Sequence, residues 1–198
     1  QYGCQRVIFT SSMSVYGNGT PPFNEEDTLN PIDSYAISKM AVELDIKSAG
    51  EQFGLDWCIL RPHNCYAGEV ANPNIQGDYS VGQNYLDMYR NALAIWMYNL
   101  LNNKPITIYG DGLQKRAFSH MKDIVVPLWR AGTDSNTSKE IINLGGIKET
   151  TILEAAHTLK DIVGFGEIIH LEPRHEVKYA WSSYQKSAEL LGFEHKTN

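Results

Sequence analysis

A strand–helix–strand signal near the amino end constrains the fold more than anything else in this chain. Val7-Ile8-Phe9-Thr10-Ser11-Ser12 is an apolar run ending in hydroxyl residues, the pattern of a buried strand that reaches the rim of a sheet. Leu55-Asp56-Trp57-Cys58-Ile59-Leu60-Arg61 reads as a second such strand. Between them, from Tyr35 to about Phe53, Met40, Leu44 and Phe53 recur on one side while Glu43, Asp45, Lys47 and Glu51 occupy others, which predicts an amphipathic helix capped by Asp33 or Ser34. Two strands joined by a helix run parallel, so the expected class is α/β with a doubly wound parallel sheet. Ligands of such sheets gather at the carboxyl ends of the strands, where Ser12 and Pro62-His63-Asn64 both fall.

Ser34-Tyr35-Ala36-Ile37-Ser38-Lys39 opens the helix and sets a phenol and an ammonium four residues apart, on one helix face. A tyrosine titrates near ~10 in isolation and carries protons poorly at neutral pH unless a positive charge favours its phenolate. Lys39 is placed to supply that charge, and the helix N-terminus pushes the same way. Ser12, on its ledge beside the phenol, completes a candidate triad with Tyr35 and Lys39.

The Tyr35/Lys39 pair sits between Phe9-Thr10-Ser11-Ser12-Met13-Ser14-Val15-Tyr16-Gly17 and Leu60-Arg61-Pro62-His63-Asn64. This combination resembles the extended short-chain dehydrogenase/reductases, and within them the NAD-dependent nucleotide-sugar epimerases and dehydratases typified by UDP-glucose 4-epimerase. The resemblance implies a Rossmann-type sheet interleaved with a smaller α/β substrate lobe. It implies Ser12, Tyr35 and Lys39 as catalytic residues and Ser11, Tyr35, Lys39, Pro62 and His63 as NAD contacts. Ser12 and Asn64 would meet the sugar nucleotide. For His63, general-base or metal-ligand chemistry is the competing idea, and a packed, hydrogen-bonded histidine is expected ahead of it.

Residues 66 to 84 are rich in Gly and Asn and predict a substrate-side loop ahead of a helix over roughly Tyr85 to Leu101, with Asn84, Arg90 and Asn91 as further substrate contacts. Pro105 to Asp123 predicts strand, glycine turn, strand and helix start, and resembles the family's G-D-G-x-Q-x-R-x-F segment. By that resemblance Arg116 grips the nucleotide diphosphate, a task suited to a rigid five-donor fork, and Arg174 in Glu172-Pro173-Arg174-His175-Glu176 matches a second arginine of the site. The two are expected to converge on one anion. A strand near 140–146 should return to the main sheet, followed by a helix near Thr151 to Val163. The division expected is residues 1–66 for the remaining dinucleotide-binding part and 67–198 for the substrate lobe. Ser183 stands where relatives usually carry an aspartate, three residues before Lys186.

None of the sixteen glycines forms G-x-G-x-x-G or a near variant. The resemblance covers the C-terminal two-thirds of a family member, so the sequence predicts a fragment that lacks the first βαβ units and binds NAD weakly alone. Self-association, or a separately made N-terminal piece, would cover the sheet edge this leaves. Net charge is −6 with a pI near 5.5, and no basic cluster marks a nucleic-acid partner. Cys4, Cys58 and Cys65 lack metal or disulfide spacing and fit reduced thiols. With no signal peptide or 18-residue apolar run, the expectation is a cytoplasmic protein. The resemblance implies a nucleotide-diphosphate sugar as substrate and a homodimer that pairs through the Tyr35 helix, whose apolar surplus would otherwise pack on its own sheet. The implied reaction is oxidation of the sugar C4 hydroxyl to a ketone and re-reduction from the other face. Met13 and Ser14 stand where dehydratases carry an Asp-Glu pair, which disfavours dehydration. Decarboxylation, net reduction and a non-catalytic sugar-nucleotide-binding role remain alternatives.

Overall fold

The computed structural model describes residues 3–66 and 92–197. In chain order these form β1 (Arg6–Thr10), α1 (Ser34–Phe53), β2 (Asp56–Pro62), β3 (Cys65–Tyr66), α2 (Ala92–Leu101), β4 (Ile106–Tyr109), β5 (Lys115–Ala117), β6 (Ser119–His120), α3 (Met121–Thr133), β7 (Glu140–Leu144), β8 (Glu149–Thr151), α4 (Ile152–Val163), β9 (Ile168–Leu171), β10 (Tyr179–Ala180) and α5 (Gln185–Leu191). They divide into two compact units, residues 1–65 with 114–149 and 175–198, and residues 66–113 with 150–174. The segments after residue 113 thus return to the first unit twice, because β7 completes its sheet and α5 packs beside it.

The first unit is built on a parallel sheet of order β1-β2-β7, with Val7 opposite Trp57 and Ile59 opposite Ile141. Its middle strand is buried on both faces, and the two-residue period of a strand sorts its side chains. Cys58 and Leu60 face a cluster with Ile124 and Ala131 of α3, Ile142 and Leu144 of β7, and Leu191 of α5. Trp57 and Ile59 face the other way and pack with Ile46 of α1. This is the two-faced covering that an all-parallel sheet requires.

α1 begins where Asp33 Oδ1 accepts from Ala36 N at 2.7 Å and ends in a left-handed Gly54. Its buried face differs from the one the apolar pattern suggests. Ala36, Glu43, Ile46 and Gly50 are buried, whereas Leu44 and Phe53 are 56 % and 81 % exposed. Two features of β2 select that face. Gly50 leaves room for the Trp57 indole, which a Cβ would strike, and Glu43 meets the guanidinium of Arg61.

Arg61 and Glu43 are each about 1 % exposed and paired through two bonds, Nη2–Oε2 at 2.6 Å and Nε–Oε1 at 3.0 Å. Arg61 Nη1 donates to Tyr16 Oη at 2.8 Å and to the Glu25 carbonyl at 3.2 Å. Tyr16 Oη donates in turn to Asn143 Oδ1 of β7 at 2.8 Å, and its ring stacks on Phe23 at 4.7 Å. Burial pushes the Tyr16 phenol up to about 12, so it stays neutral and keeps its proton for Asn143. Gly17 follows with φ +57, and a Cβ there would collide with the Asn30 carbonyl.

The second unit pairs β4 with β9 in parallel, Ile106 opposite Ile168, under α2 and α4. The Trp96 indole donates to the Thr107 carbonyl at 2.8 Å, and Thr151 and Glu154 form a capping box at the start of α4. Of the helix expected over 85–101, Ala92–Leu101 is α2; residues 85–91, and all but the first residue of the loop expected over 66–84, lie outside the described residues. Among the described residues no helix is long and apolar enough to cross a membrane.

Removing one partner of a buried, hydrogen-bonded ion pair leaves an uncompensated charge in the interior. Glu43→Ala should therefore lower unfolding free energy by ~3–5 kcal/mol, read from the denaturant midpoint, while Glu43→Leu combined with Arg61→Met should cost much less. A Glu43→Ala loss under ~1 kcal/mol would show that solvent reaches the pair.

Candidate active site at the carboxyl end of the sheet

Ser12 lies just past the end of β1, and its backbone is the N-cap of a 3-10 turn over Met13–Tyr16. Ser12 Oγ accepts from Ser14 N at 3.2 Å and from Ser14 Oγ at 2.9 Å. With two donors on its oxygen, the hydroxyl keeps its own proton to donate elsewhere. The turn is anchored from behind by the buried Tyr16, so the position of Ser12 follows from the Arg61 network.

Lys39 reaches from α1 to the same strand end, where Nζ donates to the Thr10 carbonyl at 2.7 Å. The ammonium stands 4.9 Å from the Phe9 ring and 5.6 Å from the Tyr35 ring. Tyr35 and Lys39 are both half-buried and lie one helical turn apart, directly after the Asp33 cap. The triad residues are therefore delivered by two elements, a strand end and the first turns of a helix. Neighbouring Ser11 is buried and donates its N–H to the Leu60 carbonyl at 2.7 Å, while its Oγ has no hydrogen-bond partner.

Beyond β2, Pro62 is half-buried and His63 is wholly buried. His63 Nδ1 faces the Leu144 carbonyl at 3.2 Å and Nε2 faces Ser182 Oγ at 2.7 Å. A carbonyl only accepts, so Nδ1 carries the proton and Ser182 donates to Nε2. Desolvation lowers its pKa to about 4, which keeps the ring neutral. His63 is thus a packed, hydrogen-bonded residue, with neither nitrogen open to a metal or to a substrate proton. Asn64 turns its amide toward the neighbouring strand, Nδ2 donating to the Ala117 carbonyl at 2.9 Å.

Arg116 on β5 is held by Glu176 Oε2 at 2.9 Å from Nη2 and by the Lys115 and Lys178 carbonyls at 2.8 and 3.3 Å from Nη1. Arg174 belongs to the second unit, where its guanidinium lies 4.4 Å from the Tyr109 ring. The two arginines fall in different units, and each has a local partner. Asn84, Arg90 and Asn91 lie outside the described residues. The sequence reading passed over Ser14, Ser182 and Glu176, the residues that hold Ser12, His63 and Arg116. Ser182 and Glu176 stand 119 and 60 residues from the groups they touch, and no local pattern signals them. Ser14, inside the Ser12 turn, was the one within reach of a turn argument.

Residues 1–145 match the model of the NAD dependent epimerase/dehydratase family. A UDP-glucuronate 4-epimerase of Thermodesulfobacterium geofontis is 29% identical over 201 residues, covering 98% of this chain and 55% of its own length. A UDP-N-acetyl-alpha-D-glucosaminuronate decarboxylase of Bacillus cytotoxicus is 30% identical over 176 residues, covering 85% of this chain and 50% of its own. The crystal structure of UDP-glucuronic acid 4-epimerase from Bacillus cereus, in complex with UDP-glucuronic acid and NAD, superposes with a TM-score of 0.81 at 26% identity, covering 98% of this chain and 57% of that one. The chain thus spans little more than half the length of these proteins.

The state of His63 has a measurable consequence. The unfolded chain takes up a proton near pH 6.5 and the folded one only near pH 4, so stability is full above 6.5 and falls as pH drops between those values. Relative to His63→Asn, the loss should approach ~1.4 kcal/mol per pH unit across that window. Parallel stability curves for the two proteins between pH 7 and 4 would show that His63 titrates normally.

Proposed function

The chain belongs to the NAD dependent epimerase/dehydratase family, and from that premise we propose that it carries the catalytic and sugar-nucleotide-binding portion of a UDP-sugar 4-epimerase. The observation that carries this reading is the reach of Lys39 from α1 to the end of β1, where it bonds the Thr10 carbonyl and stands 5.6 Å from the Tyr35 ring, with Ser12 just past that same strand end. The epimerases among its relatives support C4 as the reacting carbon.

The family is NAD-dependent, and the residues present fit the nicotinamide end of that cofactor. Lys39 offers an ammonium, half-buried beside the sheet terminus, to ribose hydroxyls, and Ser11 offers a buried hydroxyl with no partner of its own. Bound NAD supplies the hydride acceptor and donor. In this reading Tyr35 takes the proton of the sugar C4 hydroxyl as that carbon becomes a ketone and returns it after re-reduction. Ser12 donates its O–H to the C4 oxygen, because Ser14 fills the acceptor side of its Oγ. Lys39 stabilises negative charge that develops on the Tyr35 oxygen. Arg116 binds the nucleotide diphosphate, a role for which a fixed guanidinium donor is suited.

Ile37 and Leu44, two turns apart on α1 and about half exposed, support pairing of two copies through this helix. If so, Leu44→Glu should convert the dimer to a monomer in sedimentation analysis, and a wild-type monomer at micromolar concentration would remove the idea.

The decarboxylase among the relatives favours a second reading, loss of the carboxyl group from a UDP-uronic acid after C4 oxidation. Product analysis separates the two, since an epimerase conserves mass. The test of the triad uses the chain joined to a glycine-rich strand–turn–helix unit and supplied with NAD and UDP-sugars. Tyr35→Phe keeps the ring and removes the transferable proton, so turnover should fall ~10²- to 10⁴-fold with UDP-sugar affinity nearly unchanged. Wild-type turnover by Tyr35→Phe would rule out the assignment.

A further inference from the structure

Arg116 is anchored on one side independently of any acid. Its Nη1 donates to the carbonyls of Lys115 and Lys178, which border the parallel pairing of β5 with β10. Those two carbonyls fix the guanidinium plane. At Nη2 a side chain is the partner instead, the carboxylate of Glu176 at 2.9 Å. The second oxygen of that carboxylate accepts from Nε2 of buried Gln114 at 3.2 Å. Neighbouring Lys115 Nζ is paired with a different acid, Glu149, at 2.6 Å. A carboxylate thus meets the guanidinium at Nη2, the side away from its backbone anchors.

We propose that Glu176 is a built-in competitor for the anionic ligand of Arg116, a carboxylate that occupies the guanidinium in the free protein and is displaced when a nucleoside diphosphate binds. This rests on the reading of Arg116 as a diphosphate ligand. Because the guanidinium is oriented by backbone carbonyls, Glu176 is not required to aim it, and its effect on binding is a charge to be removed. The pair is half-buried, so its rupture costs a modest amount, repaid by a diphosphate with more charge and more acceptor oxygens. A ligand with a single weak negative charge repays less, so the contact discriminates in favour of diphosphates.

The experiment is calorimetric titration of UDP into the chain itself and into Glu176→Gln, Glu176→Ala, Arg116→Gln and the Arg116→Gln/Glu176→Gln double variant, each checked for an unchanged melting profile. Glu176→Gln should bind UDP roughly five- to tenfold more tightly than wild type. Glu176→Ala should follow it, and the gain should vanish in the Arg116→Gln background, since neighbours in contact are not additive. Weaker or equal binding by Glu176→Gln, with wild-type binding intact and sensitive to Arg116→Gln, would overturn the competitor role alone. Wild-type affinity in Arg116→Gln, or no UDP binding by any form, would overturn the diphosphate reading of Arg116 and the competitor role together.

Discussion

The buried pair of Arg61 and Glu43 is the interaction on which the first unit depends. Two charges without water are unfavourable unless every polar atom around them is answered. Here the guanidinium is met on all sides, by both oxygens of Glu43, by Tyr16 and by the Glu25 carbonyl. What the pair contributes is position more than stability. A slip of α1 by one residue along β2 would turn Glu43 off the buried face and leave Arg61 uncompensated, so one register is strongly preferred. Trp57, one strand period from Ile59 and two from Arg61, enforces the same register by fitting only against Gly50.

That register sets the candidate site. Lys39 precedes Glu43 by one helical turn, so fixing Glu43 against Arg61 brings the ammonium to the end of β1, where it bonds Thr10. Through Tyr16 the network also holds the turn that Ser12 caps, and through Asn143 it joins that turn to β7. Asn143 N further donates to the Glu25 carboxylate at 2.8 Å, and its side chain donates to the Phe23 carbonyl at 3.2 Å, which ties down the long loop before α1. A single buried arginine therefore coordinates the strand end, the turn and the helix that together present Ser12, Tyr35 and Lys39.

Much of this was legible in the residues. Strand β2 was expected over 55–61 and lies over Asp56–Pro62, because a continuous β-rich apolar run buried on both faces has few other solutions. Helix α4 was expected over 151–163 and runs Ile152–Val163, its start written in the Thr151/Glu154 capping box. The face of α1 was not legible. Periodicity scores Leu44 and Phe53 as core and Glu43 as surface, yet an acid becomes interior once a buried guanidinium needs it, and that need arises eighteen residues away on another element. The packed, hydrogen-bonded state of His63 was legible, but its partner was not, since Ser182 reaches it from the far end of the chain.

Residue type did not settle role, and environment did. Arg61 is a structural cation because it is enclosed and paired with an acid of the helix packed on its sheet. Arg116 carries the same group half-buried, with backbone on one side and a displaceable carboxylate on the other, an arrangement that can exchange partners. Arg174 lies over an aromatic face, its guanidinium 4.4 Å from the Tyr109 ring. The tyrosines divide likewise. Tyr16 sits within a motif that also contains Ser12, yet burial pushes its phenol up to about 12 and locks it as a neutral link between Arg61 and Asn143. Tyr35 is half-buried, on a helix start beside an ammonium, and so has the access that a proton carrier needs. A motif supplies the groups for such chemistry, and the buried Arg61–Glu43 pair determines which of them meet.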